Sequence, residues 1–408
     1  MKNILSGHAL LLILLIQANP AAAQSQTQLP HIAKFSPDST QLFFSKGTTT
    51  QLIDVATGNV LATFQTKLPP INIVFSQDGS RAAFLQLAPI GVFDIKDEVD
   101  IYDIKSQKIV LELGADKNIV NAVFAANANK ILISCSDNHA ESIDIATGKT
   151  ELVFSSFDRN GKLVPLTFFS PDGSLVFVVS LERVIEVFDS TDGKSLSKFT
   201  LNATIDAASA ATTNGEKIFI KHEIADGDKA GGLFGTNKKQ TTDLVNAADG
   251  TIITNVDTLY PQLPVISEDS TKAILGRSDF GHSAVVDTIT GNKLLETNWL
   301  DLGYFGEINN GQGFNAFSRD GKWVSWISLG AEAISQSGPS KVDVVNIATG
   351  AHVLSIIDDE NVTQSNNSTD DDRYDFKAFF IATAFSKDGT QIIGVTETGK
   401  LYKATLPK

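Results

Sequence analysis

The residue types that most often carry catalysis are scattered along this chain rather than gathered into motifs. No serine lies in a GxSxG nucleophile elbow, and no histidine belongs to an HxH or HExxH pair of the kind that binds zinc. The histidines beyond residue 23 are His31, His139, His222, His282 and His352. The sequence therefore predicts no catalytic residue, no metal ligand and no bound cofactor.

One polar segment, residues 358–376, concentrates carboxylates in the sequence DDENVTQSNNSTDDDRYDF. Carboxylate oxygens are the ligands that Ca²⁺ prefers, so a calcium site in this segment is one interpretation. The side chains concerned are Asp370, Asp371, Asp372 and Asp375. Clustered carboxylates on a polar segment are more often simply solvated, and we favour that interpretation.

Two kinds of turn alternate along the rest of the chain, and both contain aspartate. The first kind ends an apolar run and reads FSPDG or a close variant, in which the aspartate bonds to nearby amides and the glycine accepts a positive φ. Degenerate copies begin at Phe124, Ala211 and Ile266. The aspartates of the five clear copies are Asp38, Asp78, Asp172, Asp320 and Asp388.

The second kind of turn follows a short strand that ends in aspartate, as in IDVATG from Ile53 and IDIATG from Ile143. Aspartates before turns usually accept backbone hydrogen bonds, so this repeated set is predicted to be structural rather than catalytic. Its members are Asp54, Asp103, Asp144, Asp189 and Asp287.

Each repeat therefore contains four short strands, a to d, with tight turns after a and c and variable connections elsewhere. Shared among eight units, residues 24–408 give about 48 residues per unit, close to the period of propeller repeats. The units resemble those of the WD-repeat (WD40-like) and YVTN-type β-propeller families over nearly all of the chain. The Trp-Asp dipeptide is absent, and its place is taken by pairs such as Phe188-Asp189 and Tyr102-Asp103.

The expected fold class is all-β: one β-propeller domain of eight four-stranded blades over residues 24–408, with a seven-blade ring as the alternative. The last unit ends after its third strand. We therefore expect residues Gln24–Leu29 to pair as its missing outer strand and to close the ring.

The resemblance implies two classes of function. The favoured one is a non-catalytic scaffold that presents loops from one face to a protein or glycan partner. The alternative is an enzyme centred on the channel, such as a lactonase-like hydrolase or a quinone- or metal-dependent oxidoreductase. Related enzymes build their sites where the innermost strands converge, and the polar residues near that place here are His31, Asn72, Asn121 and Asp206.

Length variation concentrates in the b–c and d–a connections, which an antiparallel blade places on one face. The long connections are Gln86–Glu98, His222–Gln240, Asn298–Gly313, Gly330–Ser340 and Asp358–Lys377. Within them, Trp299, Tyr304 and Phe305 lie among glycines and asparagines and could form an adaptable contact site for a partner. The other interpretation is that these rings fold back to plug the channel or cover a blade edge.

The charge balance excludes one class of partner. The chain has 33 basic and 47 acidic side chains, a formal net charge of −14, and no dense basic run. Nucleic-acid binders gain most of their affinity from lysine and arginine, so we expect neither a nucleic acid nor an anionic membrane as partner.

The N-terminus has the three parts of a secretory signal peptide. Lys2 provides the positive charge, residues 9–16 the apolar segment, and residues 21–23 the small side chains, with cleavage expected between Ala23 and Gln24. Eight apolar residues are too few to span a bilayer, which takes about 20. We therefore expect a signal peptide over residues 1–23 and a secreted or periplasmic product, with a short anchor or core helix as the alternative.

Overall fold

The computed structural model describes residues 31–90, 94–114, 117, 119–125, 128–135, 139–154, 166–179, 184–201, 204–224, 239–257, 264–276, 283–297, 316–329, 340–357 and 380–407. These residues form eight separate antiparallel sheets, and each sheet takes its strands in chain order from the centre outwards. The prediction of an all-β propeller with eight blades is confirmed, and the seven-blade alternative is wrong, because all eight units keep their own sheet.

The first four blades each have four strands. Blade 1 contains β1 (Ile32–Phe35), β2 (Gln41–Lys46), β3 (Thr49–Asp54) and β4 (Val60–Gln65). Blade 2 contains β5 (Pro70–Phe75), β6 (Arg81–Ile90), β7 (Asp94–Asp103) and β8 (Lys108–Leu113). Blade 3 contains β9 (Ile119–Phe124), β10 (Lys130–Cys135), β11 (Ala140–Asp144) and β12 (Thr150–Phe154). Blade 4 contains β13 (Leu166–Phe169), β14 (Leu175–Val179), β15 (Val184–Asp189) and β16 (Ser195–Thr200).

In the described part of the chain, blades 5 and 6 have four strands and the last two blades have three. Blade 5 contains β17 (Thr204–Ala211), β18 (Lys217–Ile224), β19 (Lys239–Asn246) and β20 (Ile252–Asp257). Blade 6 contains β21 (Val265–Ile266), β22 (Lys272–Gly276), β23 (Ser283–Asp287) and β24 (Lys293–Thr297). Blade 7 contains β25 (Trp323–Leu329), β26 (Ser340–Asn346) and β27 (His352–Ile357), and the Phe317–Val324 bridge takes the innermost place. Blade 8 contains β28 (Phe380–Phe385), β29 (Gln391–Thr396) and β30 (Leu401–Thr405).

The burial pattern of a strand follows its distance from the centre. The second strand of a blade is covered on both faces by neighbouring blades, so it is a nearly continuous buried run, as in β10. The outermost strand touches solvent, and its buried and exposed residues alternate, as in the second half of β4. This difference explains why inner strands read as unbroken apolar runs in the sequence while outer strands mix apolar and polar residues.

The core consists of eight apolar clusters, one between each pair of consecutive blades. Between blades 1 and 2, the rings of Phe43 and Phe84 meet edge to face with centroids 5.2 Å apart, and Phe64 joins them at 5.5 Å from Phe43. Burial of a phenylalanine side chain contributes about 1.5–3 kcal/mol. Because every interface has its own cluster, stability is distributed around the ring.

The last blade packs against the first through the same kind of cluster. Ala33 and Phe35 of blade 1 lie against Ala382, Ile393 and Val395 of blade 8. The ring therefore closes through apolar side chains. The predicted closing strand Gln24–Leu29 lies outside the described residues, as does the signal segment, so both stay predictions.

A β-bulge recurs at one place in blades 1 to 7. The pairing of the third strand with the fourth shifts by one residue just before the third strand ends; in blade 1 the shift falls between Leu52 and Ile53. The extra residue in blade 1 is Leu61, which is 48% exposed. Bulges bend a strand and increase its twist, so this one turns the outer strand away from the flat plane of the blade.

Candidate functional site

Both tight turns of each blade lie on the same face of the ring. The residue that follows the end of strand c donates its backbone N–H to a carbonyl oxygen of the a–b turn. In blade 1, Val55 N lies 2.9 Å from the Thr40 carbonyl oxygen, and in blade 8, Leu406 N lies 2.8 Å from the Thr390 carbonyl oxygen. The same bond occurs in all eight blades. We call the face formed by these a–b and c–d turns, such as residues 36–40 and 55–59, the tight-turn face.

The a–b turns use their aspartates as hydrogen-bond acceptors. Asp38 Oδ1 accepts from the hydroxyls of Ser36 and Thr40 at 2.8 and 2.7 Å and from the Thr40 amide at 3.1 Å. Burial opposes ionisation of Asp38, but the bonds from Thr40 and Ser36 outweigh it and lower its pKa to about 2. The same serine–aspartate bond recurs in the other clear copies, at Asp78, Asp172, Asp320 and Asp388.

The c–d turns use their aspartates in the same way. Asp54 Oδ1 accepts from the amide and hydroxyl of Thr57 at 2.7 and 2.6 Å, and these bonds lower its pKa. Equivalent acceptor roles fall to Asp103, Asp144, Asp189 and Asp287. These carboxylates are occupied by the turns that contain them, which leaves them poorly suited to bind a ligand.

Side chains also connect neighbouring blades across the tight-turn face. Lys387 of blade 8 forms an ion pair with Asp38 of blade 1 at 3.3 Å, and Arg319 of blade 7 pairs with Glu268 of blade 6 at 3.1 Å. Such exposed pairs contribute little to stability. They connect blade 8 to blade 1 and blade 7 to blade 6 on this face.

The opposite face, which we call the loop face, is formed by the b–c and d–a connections. Of the strands that border the long connections, β24 and β27 end there. The predicted connection Gln86–Glu98 is wrong over most of its length, because β6 and β7 continue through it and pair from Gln86 with Glu98 to Ile90 with Asp94. The predicted contact residues Trp299, Tyr304 and Phe305 and the acidic segment 358–376 lie outside the described residues. Their roles stay predictions.

A second repeated carboxylate, which the sequence interpretation did not single out, lies inside the third strand of five blades. It stands three residues before the aspartate or asparagine that ends the strand, at Asp100, Glu141, Glu186, Asp243 and Asp343. We call these the strand-c carboxylates. Counting back from the aligned c–d turns would have found them, because the position is fixed relative to each turn.

Glu141 has the most complete set of partners. Its carboxylate accepts from Lys117 Nζ at 2.6 Å and Thr150 Oγ1 at 2.8 Å, and it lies 3.0 Å from His139 Nε2. Burial opposes ionisation, but Lys117, Thr150 and His139 together lower the pKa of Glu141. The bond to Thr150 ties the third strand of blade 3 to the fourth.

Asp100 accepts a hydrogen bond from an uncharged side chain, and its pKa is raised rather than lowered. Gln86 Nε2 donates to Asp100 Oδ2 at 2.7 Å, while Gln86 Oε1 accepts from the Leu68 backbone amide at 2.9 Å. Burial raises the pKa of Asp100 because this one amide bond does not compensate for lost hydration. Gln86 therefore links this carboxylate to the segment that joins blades 1 and 2.

Asp343 contacts a serine and a histidine, yet the geometry is not that of a nucleophilic triad. In such a triad the imidazole stands between the serine and the carboxylate and uses a different nitrogen for each. Here His352 Nε2 lies 3.2 Å from Asp343 and 3.0 Å from Ser355, and Ser355 donates directly to Asp343. The Asp343 side chain is 2% exposed and that of His352 is 54% exposed. These contacts connect β26 to β27, the outermost strand of blade 7.

The innermost strands border the central channel. His31 precedes β1 and its ring centroid lies 5.9 Å from that of Phe44, while the part-exposed Asn72 and Asn121 lie at equivalent positions of β5 and β9. Asp206 belongs to β17, and its side chain is outside the described part. Among the described residues no three histidine, cysteine or acidic side chains converge as a metal site would require, and no helix is long and apolar enough to cross a membrane.

Comparison with known proteins supports the fold and goes no further. No protein-family model matches the chain, and no curated protein matches its sequence. Among solved structures, the crystal structure of the C-terminal WD40 domain of Sif2 aligns with a TM-score of 0.55 at 12% identity, over 93% of this chain and 97% of that domain. The resemblance to WD-repeat propellers is therefore confirmed for the fold.

Proposed function

We propose that this chain is an exported binding scaffold whose loop face receives a protein partner. The observation that carries the proposal is the contrast between the two faces. On the tight-turn face, the carboxylates of short turns of similar length accept hydrogen bonds from hydroxyls and amides of the same turn. The long connections all belong to the opposite face, and binding residues of repeat proteins concentrate on such connections.

The residues proposed to contact the partner are Trp299, Tyr304 and Phe305. Aromatic side chains are enriched at protein interfaces because they bury a large area for few rotatable bonds. The surrounding glycines and asparagines in residues 298–314 supply adaptable hydrogen bonding. The surplus of 47 acidic over 33 basic residues favours a partner surface that is basic or neutral.

Export is proposed from residues 1–23 alone. N-terminal sequencing of the protein recovered from the extracytoplasmic fraction should begin at Gln24. Recovery of an intact Met1 from the cytoplasm would contradict export and would leave the binding proposal to stand on its own test.

The binding proposal is tested by affinity capture from the extracytoplasmic fraction. The variant Trp299→Ala/Tyr304→Ala/Phe305→Ala should lose about tenfold or more of the captured partner. Its matched control is Gln77→Ala/Lys149→Ala, which changes exposed residues of the tight-turn face and should retain the partner. Equal retention by both variants, or no captured protein at all, would overturn the proposal, and binding to glycans in place of protein would replace it.

A further inference from the structure

One position of the innermost strands breaks the repeat. The residue just before each a–b turn motif is apolar in seven blades: Val74, Val123, Phe168, Ala210, Val265, Ala316 and Ala384. In blade 1 the same position is Lys34, within β1 and opposite Phe43 of β2. Placing an amine where the other blades place a methyl or a ring costs free energy, because burial removes hydration from the charged form.

The Lys34 amine has neither a hydrogen bond nor an ion pair within the described part of the chain. Burial lowers its pKa to about 8, and no carboxylate offsets that effect. This is unexpected in a chain with 47 acidic and 33 basic residues, since an acidic partner is abundant elsewhere. At pH 7 a lysine with a pKa of about 8 is mostly protonated, and the charged Lys34 has no counter-ion among the described residues.

Lys34 borders the channel from the innermost strand of blade 1. β2 covers the outer edge of β1, while β5 and β28 lie on either side of it, so the accessible part of Lys34 opens towards the axis. Asn72 and Asn121, on the innermost strands of the next two blades, are also part-exposed, and Asn121 Oδ1 accepts from the Ala122 amide at 2.9 Å. Amide N–H groups that reach the same anion as Lys34 would add hydrogen bonds to it.

We propose that the channel wall of blades 1 to 3 binds a small oxyanion, a phosphate or carboxylate group, at Lys34. The anion supplies the counter-charge that the described residues do not supply, and charge-assisted hydrogen bonds in a poorly hydrated place are stronger than those at the surface. This proposal is independent of the loop-face proposal, because it rests on the described strand β1 and is tested with different ligands.

The test is a titration of the full chain with inorganic phosphate at pH 7, followed by amide NMR. Saturable shifts are expected at Lys34, Asn72 and Asn121. Lys34→Met should weaken binding by about tenfold or more, Lys34→Arg should retain it, and Lys46→Met, which changes an exposed lysine of β2, is the matched control. Shifts that rise linearly without saturation, or that survive in Lys34→Met, overturn the proposal.

A second variant and two further ligands complete the test. If Lys34→Met lowers the melting temperature, Asn72→Ala serves as the second variant and should weaken phosphate binding severalfold. Acetate and a short peptide with a free C-terminus are titrated beside phosphate, and the ligand that saturates at the lowest concentration identifies the source of the oxyanion. Failure of all three ligands to saturate contradicts the site.

Discussion

At the scale of single residues, the same side chain at equivalent positions of the repeat is constrained by different neighbours. Gly79 and Gly173 end the a–b turns of blades 2 and 4 with φ of +68° and +69°. A Cβ at Gly79 would meet nothing within 4 Å. A Cβ at Gly173 would lie 2.0 Å from the Phe124 carbonyl oxygen and 2.7 Å from Ala125 Cα, both in the neighbouring blade.

This pair of glycines separates backbone strain from contact between blades. Gly79→Ala should cost about 1 kcal/mol of unfolding free energy, the penalty for a left-handed conformation in a residue with a Cβ. Gly173→Ala should cost about 3 kcal/mol, because blade 3 or the turn must also move to remove the clash. Urea denaturation of both variants measures the difference, and equal losses would show that the turns of blades 3 and 4 do not touch.

The residue scale is also where prediction from the sequence reached its limit. The structural role of the turn aspartates could be predicted, because Asp54 and Asp144 bond to residues three positions away. Hydrogen bonds over so short a distance in sequence can be recognised in a short motif. That Lys34 has no partner among the described residues could not be predicted, because it depends on which strands surround β1. The ring contacts between Phe43 and Phe84 depend likewise on how two blades pack.

At the scale of strands, the fold was predictable where alternation is strong and less so where a strand is short. The units of blades 3, 5 and 6 have degenerate turns, yet each keeps both turn positions, so their sheets form. The innermost strand of blade 7 was harder, since only the Phe317–Val324 bridge marks it in the described residues. The strand-c carboxylates escaped notice because an isolated Glu141 or Asp343 resembles any polar residue of a strand.

The edge of blade 8 provides the prediction at this scale. β30 pairs with β29 on one side, and its other edge is where residues Gln24–Leu29 are expected to pair. Deleting residues 24–30 should lower the melting temperature sharply, because the amides at the outer edge of β30 lose their expected partners. Hydrogen exchange should accelerate at the β30 amides that point away from β29.

The control for that deletion is internal. Amides of β2, which is covered on both edges within blade 1, should keep their protection apart from the general loss of stability. An unchanged melting temperature together with unchanged exchange in β30 would refute the closing strand and leave the apolar contacts of Ala33 and Phe35 with blade 8 as the means of closure.

At the scale of the whole molecule, the turns act together because they repeat. The pKa is lowered at turn aspartates of most blades, including Asp38, Asp54 and Asp388, and in each case bonds from nearby hydroxyls and amides contribute. A carboxyl whose folded pKa lies below its unfolded value stabilises the fold above the unfolded pKa, near 3.9. That contribution disappears as the pH falls through the folded pKa, which is about 2 for Asp38.

Acid should therefore destabilise the propeller mainly between about pH 4 and pH 2, as many turns take up protons over the same interval. The raised pKa of Asp100 acts in the opposite direction but concerns one group. In blade 7 an asparagine already takes the place of the turn aspartate, and Asn346 Oδ1 accepts a hydrogen bond from the Thr349 amide at 3.0 Å. Asp54→Asn/Asp144→Asn should keep the fold at pH 7 and show a smaller fall of melting temperature below pH 4. A decline as steep as in the original chain would mean that the turn carboxylates do not govern acid stability.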